Sequence, residues 1–149
     1  MHYGTPLGDT AEAAARERHH YPEAVGWLYR VVANRYAAVH HDGYSESGHG
    51  EWYTTGPTLE VFAFPVLRWT PKGATIKDIW GRRSLTRWVN LEPGSKQYAS
   101  RTATEAVEQL AERRRRQLYI LAKQTRRAQE ELALCEKVAH GGCNLLPIG

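Results

Sequence analysis

The stretch that decides the fold is ATEAVEQLAERRRRQLYILAKQTRRAQEELALCEKVA, residues 103–139, which holds neither glycine nor proline. Thr102 followed three residues later by Glu105 is a capping box: the threonine oxygen takes one free backbone amide and the glutamate reaches back to another. Gly141 and Gly142 suit the closing turn. The spacing therefore predicts one helix of about 55 Å, too long to lie wholly on a small sheet. Val107, Ala111, Arg114, Leu118, Leu121, Thr125, Ala128, Leu132, Cys135 and Ala139 keep an unbroken three-four alternation, the pattern of a coiled-coil seam. Arg114 and Thr125 are polar within it. The seam either meets a second copy of the helix or packs on the protein's own sheet and amino-terminal segment.

Upstream, the periodicity changes from 3.6 to 2. Trp27, Tyr29, Val31 and Ala33 alternate with Leu28, Arg30, Val32 and Asn34, which predicts a first strand beginning at Gly26. A turn-rich segment follows over 40–57, with aromatic residues Tyr44, Trp52 and Tyr53 suited to a long hairpin loop or a partner contact. Leu59 to Phe64 reads as strand, Pro65 as an edge or bulge position, and Val66 to Thr70 as its continuation. Pro71-Lys72-Gly73 turns the chain back into Ala74 to Trp80, and Leu85 to Leu91 gives the next strand. The expectation is an α+β fold: a twisted antiparallel sheet of about four strands and one long carboxy-terminal helix. The organisation expected is an amino-terminal tail or short helix (1–25), a sheet region (26–101), the basic helix (102–140) and a tail (141–149).

Charge is unevenly placed. Residues 1–60 carry a net −4 and residues 61–149 a net +8. Arg113, Arg114, Arg115, Arg116, Lys123, Arg126 and Arg127 fall within fifteen residues that include no acid, too many to be neutralised by local glutamates. In the sheet region Arg68, Lys72, Arg82, Arg83 and Arg87 are interleaved with Trp69, Trp80 and Trp88. Cations that neutralise phosphates beside indoles that stack on bases are the ingredients of a single-strand-binding surface. The bland alternative puts the tryptophans in the core beneath the helix and the cations in water.

Enzymatic signatures are lacking. His49-Gly50-Glu51 has no proline-cysteine-x-x-cysteine half to make a zinc deaminase, and the glycines of 43–56 lack the lysine and hydroxyl of a phosphate loop. Cys135, His140 and Cys143 are zinc-capable but fit no standard zinc module, and His40-His41-Asp42 reads as a solvated strand end, so no metal and no cofactor are expected. Nothing points to a small-molecule substrate. No apolar run approaches a membrane span, and 1–10 has no signal-peptide character, so a cytoplasmic place is expected.

The succession Arg68-Trp69-Thr70-Pro71-Lys72-Gly73, Trp80-Gly81-Arg82-Arg83, Lys96-Gln97-Tyr98-Ala99 and the Thr102-to-Glu105 cap resembles small bacteriophage and prophage accessory proteins of no assigned activity, over roughly residues 60–138. The resemblance implies a phage accessory protein in the cytoplasm of a bacterial host, with no residue role to transfer. The function expected is non-enzymatic binding of a nucleic acid, or of an acidic or nucleoprotein target such as a host defence complex, through the basic sheet and helix. The alternative is an assembly protein that self-associates through the helix.

Overall fold

The computed structural model describes residues 4–40, 51–54, 56–80 and 85–141, with 37–40 and 51–54 followed by their backbone course. In chain order the elements are β1 (Thr5–Pro6), α1 (Thr10–Arg18), β2 (Gly26–Asn34), β3 (Ala37–His40), β4 (Glu51–Thr54), β5 (Thr58–Thr70), β6 (Gly73–Lys77), β7 (Thr86–Asn90) and α2 (Ala103–His140). The chain divides into two compact units, 1–110 and 111–149. The first holds the sheets, α1 and the opening turns of α2; the second holds the rest of α2.

The fold is α+β, built on a five-stranded antiparallel sheet. β5 is its centre, and every other strand but β7 pairs with it. Since β2 occupies one edge of β5 from Thr58 to Val66, β1 and β6 must both lie on the other edge. Five strands thus make a sheet four strands wide. β3 and β4 form a separate two-stranded sheet, β3 ending where the turn-rich segment begins and β4 lying inside it.

Pro65 stands in the middle of this central strand, where a missing N–H would normally cost a ladder bond. Hydrogen-bond phase removes the cost. Tyr29 gives its N–H and takes its second bond from Ser100, each at 2.7 Å, on the outer edge of β2. Antiparallel bonding alternates, so Trp27 also points its backbone outward, and Pro65, paired with Trp27, aims its nitrogen away from β2. The bulge comes two residues later: the register with β6 shifts between Val66 and Arg68. Leu67 is the extra residue, and the side-chain alternation of β5 inverts there.

Each face of the sheet is covered. On one, Leu28, Phe64, Val66, Ala74, Ile76 and Val89 are joined by Leu91 and Ala99 from the segment after β7. On the other, Val31, Val61 and Ala63 receive Ala13 and Ala14 of α1 and Ala106 and Leu110 of α2. The amino-terminal segment is therefore a core element, because small alanines let α1 approach the sheet closely. Asp9 sits at its N-cap but its side chain makes no capping bond. At the start of α2 the expected cap is present, with Glu105 N–H donating to Thr102 Oγ1 at 3.2 Å. Gly141 N–H closes the helix onto Lys137 O at 2.9 Å.

Gly73 ends the Pro71-Lys72 turn without a positive φ. Its need is space: an added Cβ would run into the Val89 carbonyl oxygen of β7 and meet the Trp88 ring at 3.0 Å. Gly73→Ala is expected to lower the unfolding free energy by about 1–3 kcal/mol, since backbone rather than a flexible side chain must yield. Urea denaturation of the two proteins measures the difference.

Candidate nucleic-acid interface

Because α2 advances about 100° per residue, its sequence assigns each cation an azimuth. Arg115, Arg126, Lys123, Arg116, Arg127 and Arg113 fall, in that angular order, within an arc of roughly 160°. Arg114 alone lies on the other side, among the seam residues. The centres of the cationic arc and of the seam are about 180° apart, so α2 carries two unlike faces back to back. Tyr119 and Ile120 sit within the cationic arc.

These side chains are open to water. Arg115, Arg116, Lys123, Arg126 and Arg127 are exposed and Arg113 is half-buried. Arg115 is paired with Glu112 one turn back, an exposed pair of the kind that contributes little. Lys123 Nζ stands 5.1 Å from the centre of the Tyr119 ring, and Arg114 donates to Gln117 Oε1 at 3.2 Å. Arg116, Lys123, Arg126 and Arg127 enter no ion pair among the described residues. Glu112, Glu130 and Glu131 fall in the same arc and offset part of this charge, but cations remain in excess, and a helix face with such an excess attracts polyanions.

The sheet candidates are not one surface. Residues paired across strands share a face, so Trp69, Ala74 and Val89 lie together, with Ile76 and Arg87 beside them. Arg68, Thr75 and Trp88 occupy the opposite face. The bulge at Leu67 is the cause, since it inverts the alternation just before Arg68. Lys72, in the turn, stands 4.0 Å from Glu92. Arg82 and Arg83 lie outside the described residues. Trp69, Trp80 and Trp88 remain 44%, 45% and 52% exposed, so none of the three is the tryptophan of the core. Trp27, partly buried against α1 and α2 residues, has that role.

One cluster escaped the sequence reading. Arg30 stacks its guanidinium 4.2 Å over Tyr98, and Arg87 stands 3.9 Å from the same ring. Arg30 Nη1 donates to the Tyr98 carbonyl at 2.6 Å, while its Nε is buried without a partner among the described residues. Burial, and then the charge of Arg87, push the Arg30 guanidinium below its ordinary pKa. Trp80 completes the cluster, meeting Phe62 and Phe64 edge-on with ring centres 5.0 Å away in each case. Two guanidiniums sharing one ring, with no carboxylate paired to either among the described residues, are suited to a small anion. The available signal was alternation: Arg30 shares its parity with Leu28, a charge on an apolar face.

A cleft of about 370 Å³ lies between α1 and β5, lined in part by Arg16, His20, Tyr21 and Lys77. Its cations already have acids nearby, Arg16 beside Glu12 at 3.7 Å and Lys77 beside Glu23 at 4.0 Å. Among the described residues no three histidine, cysteine, aspartate or glutamate side chains converge as for a metal. Cys135 is exposed on α2, and Cys143, His41, Asp42, Tyr44 and His49 lie outside the described residues. No described helix is long and apolar enough to cross a membrane.

This chain matches no protein-family model, no curated protein and no solved structure.

Proposed function

We propose that this is a non-enzymatic binding protein that engages nucleic acid, free or within a host nucleoprotein, through the cationic face of α2. The observation that carries the reading is the arc from Arg115 to Arg113, in which four cations enter no ion pair among the described residues. Each lysine or arginine that meets a phosphate releases condensed counterions, and this term is independent of base sequence. Tyr119, beside Lys123 on the same arc, offers a ring on which an unpaired base can stack. With the bacteriophage resemblance, the setting proposed is the cytoplasm of a bacterial host, where such a protein would occupy host or defence nucleic-acid complexes.

The test is fluorescence anisotropy of labelled duplex and single-stranded oligonucleotides at stepped salt concentrations. If the five exposed cations of the arc each meet a phosphate on duplex DNA, log affinity falls linearly with log salt at a slope of about −4 to −5. Absence of binding at low salt would refute the proposal and turn attention to an acidic protein partner. A second reading, assembly by self-association, has its own support in the seam: Leu118, Leu121 and Leu132 are 65%, 46% and 58% exposed.

A further inference from the structure

The second reading can be taken to a register. The described residues of unit 111–149 form the greater part of α2, and helix stability in water comes mainly from packing of an apolar face. From Arg114 onward every seam residue of that unit is exposed, so the face has no cover within it. We infer that a second copy of this chain covers the seam from Ala111 to Cys135, running antiparallel and centred on Lys123.

Charge selects the orientation. In a parallel, in-register pair Arg114 faces Arg114 of its twin inside the seam, and Glu131 flanks Glu136 of the other helix. Both contacts oppose like charges. The four arginines 113–116 also stand level with the same four.

Reversing one helix about Lys123 resolves all three conflicts. Residue pairs whose numbers sum to 246 then stand level, and the seam layers become Ala111 with Cys135, Arg114 with Leu132, Leu118 with Ala128, and Leu121 with Thr125. Large residues meet small ones at the centre, as interdigitating layers require. The arginine block stands level with Glu130 and Glu131, and Arg115 flanks Glu136 of the other copy. Sliding by one heptad in either direction keeps the seam but loses the Arg115–Glu136 contact. The cationic arcs, opposite the seam, face outward on both copies, so the inference stands independently of nucleic-acid binding and is compatible with it.

Cysteine chemistry reads the orientation directly in the full chain. With Cys143→Ser in the background, a parallel pair holds its two Cys135 thiols in one layer, whereas the antiparallel pair separates them by roughly 36 Å. Under mild oxidation the Cys143→Ser protein is expected to stay uncrosslinked, and Ala111→Cys/Cys143→Ser to form a covalent dimer through native Cys135. Crosslinking through Cys135 alone at a comparable rate would overturn the register. A strict monomer in sedimentation equilibrium at the highest attainable concentration would overturn the dimer itself. As an arm that needs no new thiol, Arg115→Glu is expected to weaken dimerisation on the order of tenfold. Arg115→Glu/Glu136→Arg should restore it, and failure of that rescue counts against the antiparallel pairing. Oligonucleotide affinity of the Cys143→Ser and Ala111→Cys/Cys143→Ser proteins, which keep every cation of the arc, separates failure of this inference from failure of the binding proposal.

Discussion

Changing Arg116, Lys123 and Arg127 together to glutamate is expected to reduce nucleic-acid affinity by a thousandfold or more at moderate salt, on the order set by losing three phosphate contacts and adding three repulsions. These three residues are spaced at i, i+7 and i+11, which puts them within roughly 40° of one another on the helix. They are exposed and enter no ion pair among the described residues, so the substitution breaks no ion pair there and costs α2 the exposed contact of Lys123 with Tyr119. Arg115 is a poorer target because Glu112 already holds it. Glutamate is nearly as good a helix former as arginine or lysine. The variant sets new like charges at 123 and 127 and beside Glu112, Glu130 and Glu131, each pair costing a few tenths of a kcal/mol, partly offset by new opposite-charge pairs with Arg113 and Arg126. Circular dichroism and thermal melting should therefore remain close to the parent protein while anisotropy with labelled DNA is lost. Retained affinity would move the interface off α2.

The largest stability effect is expected at Phe64. Its side chain is fully buried at the centre of β5, with Trp80 and Tyr98 edge-on at 5.0 and 5.6 Å. Phe64→Ala removes the ring from a sheet face packed by Leu28, Val66 and Ile76, and the surroundings can close only part of the space. The expected loss is about 3–5 kcal/mol, a large share of the roughly 5–15 kcal/mol that holds an ordinary domain folded. Urea unfolding measures it, and the tryptophan emission of the folded variant should move to the red as Trp80 loses a neighbour. A loss below about 1 kcal/mol would mean that this face is not the core.

What could be read in the sequence, and what could not, divides along the range of the interactions. The start of α2 was legible because a capping box acts within four residues, and the β5–β6 hairpin because Pro71 acts within its own turn. The length of α2 was legible for the same reason, since no glycine or proline interrupts residues 103–139. Strand partners were not: nothing near Thr5 or Pro6 announces that two residues pair with Val61 and Glu60 in the central strand. α1 is short and polar on average, and only its burial against Val61 and Ala63 makes it part of the core.

The sheet cations show how a single irregularity defeats a pattern. Read by simple alternation, Arg68 shares a face with Phe64 and Val66, and Trp69 takes the other. The bulge at Leu67 exchanges them, which carries Arg68 away from Arg87 and leaves Trp69 on Arg87's face. Arg30 and Tyr98 are brought together only when the segment after β7 reaches Ser100 on the outer edge of β2. No local signal encodes that return.

The most direct test of the central claim compares salt slopes rather than affinities. The parent protein, Lys123→Ala and Arg68→Ala would be titrated against the same duplex across a range of salt, with Arg68 as the control because it lies on the sheet and outside the arc. If α2 is the interface, the slope for Lys123→Ala is shallower by about 0.9 and that for Arg68→Ala is unchanged. An unchanged slope for Lys123→Ala, or an equal decrease in both, would contradict the assignment of nucleic-acid binding to the cationic face of α2.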